Sequence, residues 1–166
     1  MGKTGFENLL RRVYASKRLT ALLRAVNALV ICLAVLTFLL LVCSFAAKSV
    51  VWLVRLLVVM GVPFLAVTLM RRAVNAKRPY EVFDIYDVQP RRSAGRSFPS
   101  RHAASVMIIA TVALFSYVWV GAMLLLLGAL MCLARVLLGI HFPRDVIAGC
   151  SIGIISALIG IFVLLI

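Results

Sequence analysis

The chain has 166 residues, a single-domain length, and 64% of them are hydrophobic, with a mean hydropathy of +1.13. A water-soluble domain carries roughly 45–50% apolar residues, so a soluble fold is excluded and the bilayer is the natural solvent. Eighteen Lys and Arg stand against five Asp and Glu, a formal net charge of +13. These cations fall mostly between apolar runs, which points to anionic head groups or a phosphate substrate and away from nucleic acid.

Residues 5–18 pattern as an amphipathic helix. Phe6, Leu9, Leu10, Val13 and Tyr14 recur at helical spacing, and Arg11, Arg12, Lys17 and Arg18 occupy the rest of the wheel. A basic amphipathic helix beside a membrane span is expected to lie in the interface; the alternative is a solvated extension of the first span. No apolar h-region precedes a cleavage site, and Phe6 breaks the myristoylation pattern, so neither a leader nor an acyl anchor is expected. The chain divides at residue 24 into this basic segment, 1–24, and a membrane-embedded domain, 25–166.

Five apolar runs follow, near 25–46, 50–70, 103–120, 121–138 and 146–166. Each approaches the ~20 residues that cross a hydrocarbon core as helix. The fold class is therefore all-α, a polytopic bundle of about five spans plus the interfacial helix. Short turns are expected at 47–49 and 120–121, and polar connections at 71–101 and 139–145. An odd number of spans puts both polar connections and the N-terminus on one face. Cys32, Cys43, Cys132 and Cys150 all lie inside apolar runs without metal-ligand spacing, and read as small buried hydrophobes.

Three clusters sit at span ends on that polar face. Arg71 and Arg78, in RRAVNAKRP, are seven apart and share a helix face if the second span continues that far; Pro79 then ends it. Two guanidinium forks on one face suit a phosphoryl group. The second cluster is Ser97-Phe98-Pro99-Ser100-Arg101-His102. Ser100 can cap the third span, whose exposed N–H groups form an anion site with His102 in the first turn. The third is Arg135, then His141-Phe142-Pro143-Arg144-Asp145. Asp145, four residues after His141, can hold the imidazole Nδ1–H and leave Nε2 as a nucleophile. Taken singly, each cluster also reads as flanking charge, a helix cap or a favourable anion at a helix start. Taken together, two His, a paired acid, a Ser and several Arg converge on one face of one bundle.

These motifs resemble the type 2 phosphatidic acid phosphatase family, which shares its site with bacterial acid phosphatases and vanadium haloperoxidases. The family pattern runs K-x6-R-P, P-S-G-H and S-R-x5-H-x3-D; this chain reads R-x6-R-P at 71–79, P-S-R-H at 99–102 and A-R-x5-H-x3-D at 134–145. Arg71 replaces Lys, Arg101 replaces Gly and Ala134 replaces Ser, and five spans stand where six are common. The resemblance implies a lipid phosphatase in which His141 attacks phosphorus, Asp145 orients it and His102 protonates the leaving oxygen. Arg71, Arg78, Ser100, Arg101 and Arg135 would bind the phosphate. No metal and no cofactor is expected: Glu81, Asp84 and Asp87 are spread along one loop, with no carboxylate cluster for Mg²⁺ or Zn²⁺. The expected partners are a lipid phosphate substrate and membrane lipids. Phosphatidic acid, phosphatidylglycerophosphate and polyprenyl phosphates or diphosphates all fit, and the sequence leaves the choice, and any homo-oligomer, open. A catalytically inactive lipid-phosphate binder and a small transporter are the competing readings. The localisation expected is a multi-pass protein of the cell membrane. Basic residues outside the motifs crowd the motif-bearing face, which places the site in the cytoplasm by the positive-inside rule.

Overall fold

A computed structural model describes residues 3–83 and 95–165, and every regular element among them is helical. Helix α1 spans Lys3–Ala15, α2 Lys17–Lys48, α3 Val50–Val74, α4 Pro79–Val82, α5 Arg101–Ser116, α6 Val118–Leu137 and α7 Pro143–Gly160, with a π-helical turn at Ile161–Leu165. Among the described residues four helices are long and apolar enough to cross a membrane: α2, α3 with its extension through α4, α6 and α7. The 16 residues of α5 make it the shorter fifth member. Asp84, Asp87 and Pro90 lie outside the described residues.

The packing places α5 at the centre. It contacts α2, α3, α6 and α7, and its buried residues, among them Ala103, Ala104, Met107, Ile108 and Ala110, point all round the helix rather than to one side. Small residues let the neighbours close in. A side chain at Gly149 would meet the Ser100 carbonyl oxygen at 2.5 Å, and one at Gly153 would meet that of Ala104 at 2.6 Å. Van der Waals contact between backbones, rather than hydrophobic exclusion, drives such packing inside lipid. The outer faces carry Leu29, Leu36, Leu65, Trp119, Met123, Leu126 and Ile155, an apolar belt that only lipid can solvate. At the end remote from the motifs, Lys48 lies over the rings of Phe45 and Trp52, and Arg55 over Trp52.

Several boundaries differ from the sequence reading. Ser16 caps α2 through the Leu19 N–H, so the first span begins as helix at Lys17 rather than at residue 25. The turn between the third and fourth spans falls at Tyr117, not at 120–121. Gly121 lies inside α6, where an added Cβ would run into the Leu114 backbone; the glycine serves close approach of two helices and not the turn. Asn75, in the left-handed region at φ 42°, ends α3, so Arg71 and Arg78 do not share a helix. Cys32 and Cys43 face outward, while Cys132 is buried with its sulfur 3.6 Å from that of Cys150.

The amphipathic stripe of α1 packs against protein. Leu10 and Val13 are buried, and the Tyr14 hydroxyl donates to the Leu138 carbonyl at 2.9 Å. Phe6 meets Phe83 and Phe142, each at 5.9 Å between ring centroids. Its exposed face keeps Arg11 and Arg12, and Lys17 and Arg18 stand exposed in the first turn of α2. Thus α1 lies at the same end as the motifs and braces the α6–α7 connection.

Candidate active site

The connection from α6 to α7 presents His141, and its geometry follows from local rules. Gly139 takes φ +63°, a left-handed turn that ends α6 and that side chains disfavour; Leu10 of α1 fills the space above it. Pro143 then opens α7 as its first residue. Asp145, in the first turn, accepts the Phe142 N–H on Oδ2 at 3.0 Å, which fixes the carboxylate against the helix start. Gly149, one turn on, lets α7 approach α5, and the Ser100 N–H donates to the Asp145 carbonyl at 2.8 Å.

The expected direct His–Asp hydrogen bond is replaced by a relay. His141 Nδ1 lies 3.8 Å from Asp145 Oδ2, an ion-pair distance beyond hydrogen bonding. Ser97 stands between them, fully buried, 3.3 Å from Nδ1 and hydrogen-bonded to Asp145 Oδ2. A hydroxyl has one proton; donated to the carboxylate, it leaves Oγ to accept from Nδ1–H. Nε2 is then the unprotonated nitrogen. Burial is the main cause holding the His141 imidazole down at about 4; Arg135 and Arg78 add to it, and Asp145 pulls the other way. At neutral pH the ring is uncharged and carries a lone pair.

A cavity of about 310 Å³ opens in front of His141, lined by His102, Thr68 and six arginines: Arg71, Arg72, Arg78, Arg96, Arg101 and Arg135. They form two tiers. The inner tier is Arg135 and Arg78, 5% and 8% exposed, with Arg71 half-buried; Arg72, Arg96 and Arg101 are exposed at the mouth. Each inner guanidinium is aimed by a neutral acceptor. Arg71 donates to the Pro99 carbonyl at 2.7 Å, Arg78 Nε to the Gly95 carbonyl at 3.2 Å, and Arg135 to Asn27 Oδ1 at 2.8 Å. Arg135 Nε is buried with no hydrogen-bond partner among the described residues. A buried donor left open beside other cations is a site for an anion with several oxygens.

The structure thus brings together Arg71, Arg78, Arg101, His102, Arg135 and His141 on one cavity, with Asp145 behind His141. Ser100 is the exception among the expected phosphate ligands. It is fully buried, is absent from the cavity wall, and its hydroxyl accepts the Ala103 N–H at 3.5 Å. The hydroxyl caps the start of α5. Two residues were missed: Ser97, present in the motif but without an assigned role, and Asn27, which lies 108 positions from Arg135. Among the described residues no three His, Cys, Asp or Glu side chains form a metal-ligand group.

A membrane bundle with a buried histidine facing an arginine-lined cavity defines a class of phosphate-handling membrane protein. Residues 52–164 match the PAP2 superfamily, and the chain belongs to that superfamily. A lipid A 4'-phosphatase of Bacteroides thetaiotaomicron is 37% identical over 71 residues, which are 42% of this chain and 32% of that protein. The chain therefore matches about a third of the length of this curated relative. The crystal structure of Aquifex aeolicus LpxE superposes with a TM-score of 0.70 at 25% identity, over 93% of each chain. That of a PAP2-type phosphatidylglycerolphosphate phosphatase from Bacillus subtilis gives 0.60 at 19% identity, over 95% of this chain and 83% of the other, a likeness of fold.

Proposed function

We propose that this chain is a lipid phosphatase that works through a phosphohistidine at His141 without a metal ion. One observation carries the reading: a neutral, buried His141, with Nδ1 engaged by the Ser97–Asp145 relay, faces the arginine-lined cavity. Phosphoryl transfer asks mainly for positioning and charge stabilisation. Arg71, Arg78 and Arg135 hold the phosphoryl oxygens, and Arg101 adds charge at the mouth. His141 Nε2 attacks phosphorus, and the positive charge of the phosphorylated ring is balanced by Asp145 through Ser97. His102, on the cavity wall, delivers a proton to the departing oxygen and then takes one from the hydrolytic water. An apolar groove lined by Phe38, Leu57, Met60 and Phe64 flanks the site, and Arg101 lies 5.7 Å above the Phe64 ring; this is the path for the substrate's hydrocarbon chain. Residues 25–166 form the phosphatase domain, with 1–24 as its basic accessory segment.

The experiment is phosphate release by purified protein from phosphatidic acid, phosphatidylglycerophosphate and polyprenyl phosphates in excess EDTA. Turnover persists in EDTA, and His141→Ala lowers it by at least about 10³-fold while the protein still inserts. Activity lost to EDTA and restored only by Mg²⁺, or wild-type turnover by His141→Ala, would overturn the proposal.

The site is proposed to face the cytoplasm of the cell membrane, because Arg72, Lys77, Arg96 and the cations of residues 3–24 share its end while Lys48 and Arg55 mark the other. Lys77→Cys in a variant without the native cysteines remains unlabelled by a membrane-impermeant thiol reagent in intact cells. Labelling there reverses the orientation.

A further inference from the structure

The end of the bundle opposite His141 carries a second concavity, which the phosphatase chemistry does not use. It has a volume of about 450 Å³ and lies where the α2–α3 turn meets the α5–α6 turn, walled by Ser44, Lys48, Trp52, Ser116 and Tyr117. Trp52 and Trp119, the chain's two tryptophans, both stand at this end. An indole settles at the boundary between membrane and water, so the cavity opens at head-group depth in the leaflet remote from the motifs.

Charge at this end has one sign. Its cations are Lys48 and Arg55, and the acids Glu7, Glu81 and Asp145 among the described residues all lie at the motif end. The described ion pairs, Glu7–Arg11, His141–Asp145 and Arg144–Asp145, include neither cation. Lys48 is nevertheless held in place. Its ammonium lies 4.8 Å from the centroid of the Phe45 ring and 5.4 Å from that of Trp52, and the Arg55 guanidinium lies 5.2 Å from Trp52. Two cations gathered on one indole repel each other unless an anion joins them.

The hydroxyl groups of the wall have a defined polarity. Ser44 donates to the Leu40 carbonyl at 2.7 Å, so Tyr117, 2.6 Å from Ser44 Oγ, is the donor of that pair. Ser116 donates to the Val112 carbonyl at 3.3 Å. With their protons committed inside the protein, the Tyr117 and Ser116 oxygens keep lone pairs for the O–H groups of a ligand.

We infer that this cavity binds the head group of an anionic phosphodiester lipid bearing hydroxyl groups of its own, with the phosphate at Lys48 and the hydroxyls on Ser116 and Tyr117. A zwitterionic head group brings an ammonium toward Lys48 and Arg55, a like-charge contact that the anionic lipid avoids. The exposed apolar flank of Val50, Val54, Phe115 and Phe162 receives the chains. Such a lipid ties the α2–α3 turn to the α5–α6 turn. Ser44 and Lys48 precede residue 52, where the superfamily match begins, and the site stands independently of the phosphatase reading.

The test uses full-length protein with Trp119→Phe, which leaves Trp52 as the sole tryptophan, beside the cavity and far from the arginines of the other end. The protein is placed in phosphatidylcholine vesicles, and Trp52 fluorescence is quenched with phosphatidylglycerol or phosphatidylcholine brominated at the same chain carbons. The expected binding constant at Trp52 is about fivefold or more in favour of phosphatidylglycerol. Lys48→Gln removes the ammonium and brings the preference to about twofold or less, while Lys48→Arg keeps it. Ser116→Phe leaves both cations in place but fills the cavity, and it too abolishes the preference. Equal quenching by the two lipids in the Trp119→Phe protein, or a preference that survives Lys48→Gln, overturns the inference. A preference that survives Ser116→Phe overturns it as well, because surface charge alone then accounts for the attraction.

Discussion

At the scale of single residues, the site depends on a proton chain with one member for each task. His141 Nδ1–H, Ser97 Oγ–H and Asp145 Oδ2 form a buried line that fixes the tautomer and supplies a negative charge at its far end. Ser97→Ala removes the link and leaves a 3.8 Å gap between imidazole and carboxylate. The expected result is a fall in kcat of about 10–100-fold with KM little changed, since orientation of the nucleophile is lost and phosphate binding is not. Asp145→Asn costs more, about 10²–10⁴-fold, because it removes the charge as well. Steady-state kinetics of the two variants decide this; a Ser97→Ala enzyme as fast as wild type contradicts the relay. The same chain sets a pH dependence. An imidazole held near 4 is protonated, and so inactive as a nucleophile, only as pH falls through that value. In substrate-free enzyme the His141 ring nitrogens are therefore expected to titrate near pH 4 by ¹⁵N NMR; titration at the ordinary histidine value of about 6.5 contradicts it.

At the scale of elements, glycines decide whether the site assembles. Gly149 and Gly153 seat α7 on the first turns of α5, and that contact carries Asp145 to Ser97 and Ser100. Gly149→Val places atoms where the Ser100 carbonyl stands, so α7 must retreat. Activity is expected to drop at least about 10²-fold, with a lower thermal midpoint in detergent, from overpacking worth about 1–3 kcal/mol. A variant with normal activity and stability would show that the close approach is dispensable. These elements also mark how far the sequence could be read. The motif residues were legible because chemistry demands particular side chains in order, and the spans because apolar length announces itself. Ser97 could not be assigned because its place between His141 and Asp145, the latter 48 positions on, depends on how closely α7 packs against the start of α5. Asn27, an amide inside an apolar run, finds its partner only when α2 meets α6. Ser100 reads in sequence both as a cap and as a phosphate ligand, and the fold shows the cap. The α1 stripe read as membrane-facing, and only the fold reveals Leu138, Gly139 and Phe142 as its seat.

At the scale of the whole molecule, an apolar belt surrounds the bundle and the charged chemistry is gathered at one end. The superfamily match starts at residue 52, so α1 and α2 lie outside it, yet both reach the site. Helix α2 supplies Asn27 to Arg135, and α1 braces the connection that presents His141. The proposed mechanism has one covalent event at its centre, transfer of phosphorus to His141. It is observed by mixing purified protein with a lipid substrate carrying ³²P in its terminal phosphate, quenching in alkali within a turnover, and mapping the label. The expected result is alkali-stable, acid-labile label on the peptide that contains His141, absent from His141→Ala and retained in His141-intact controls. Phosphate release by the wild type with no labelled enzyme at any quench time, or label on a residue other than His141, would contradict it.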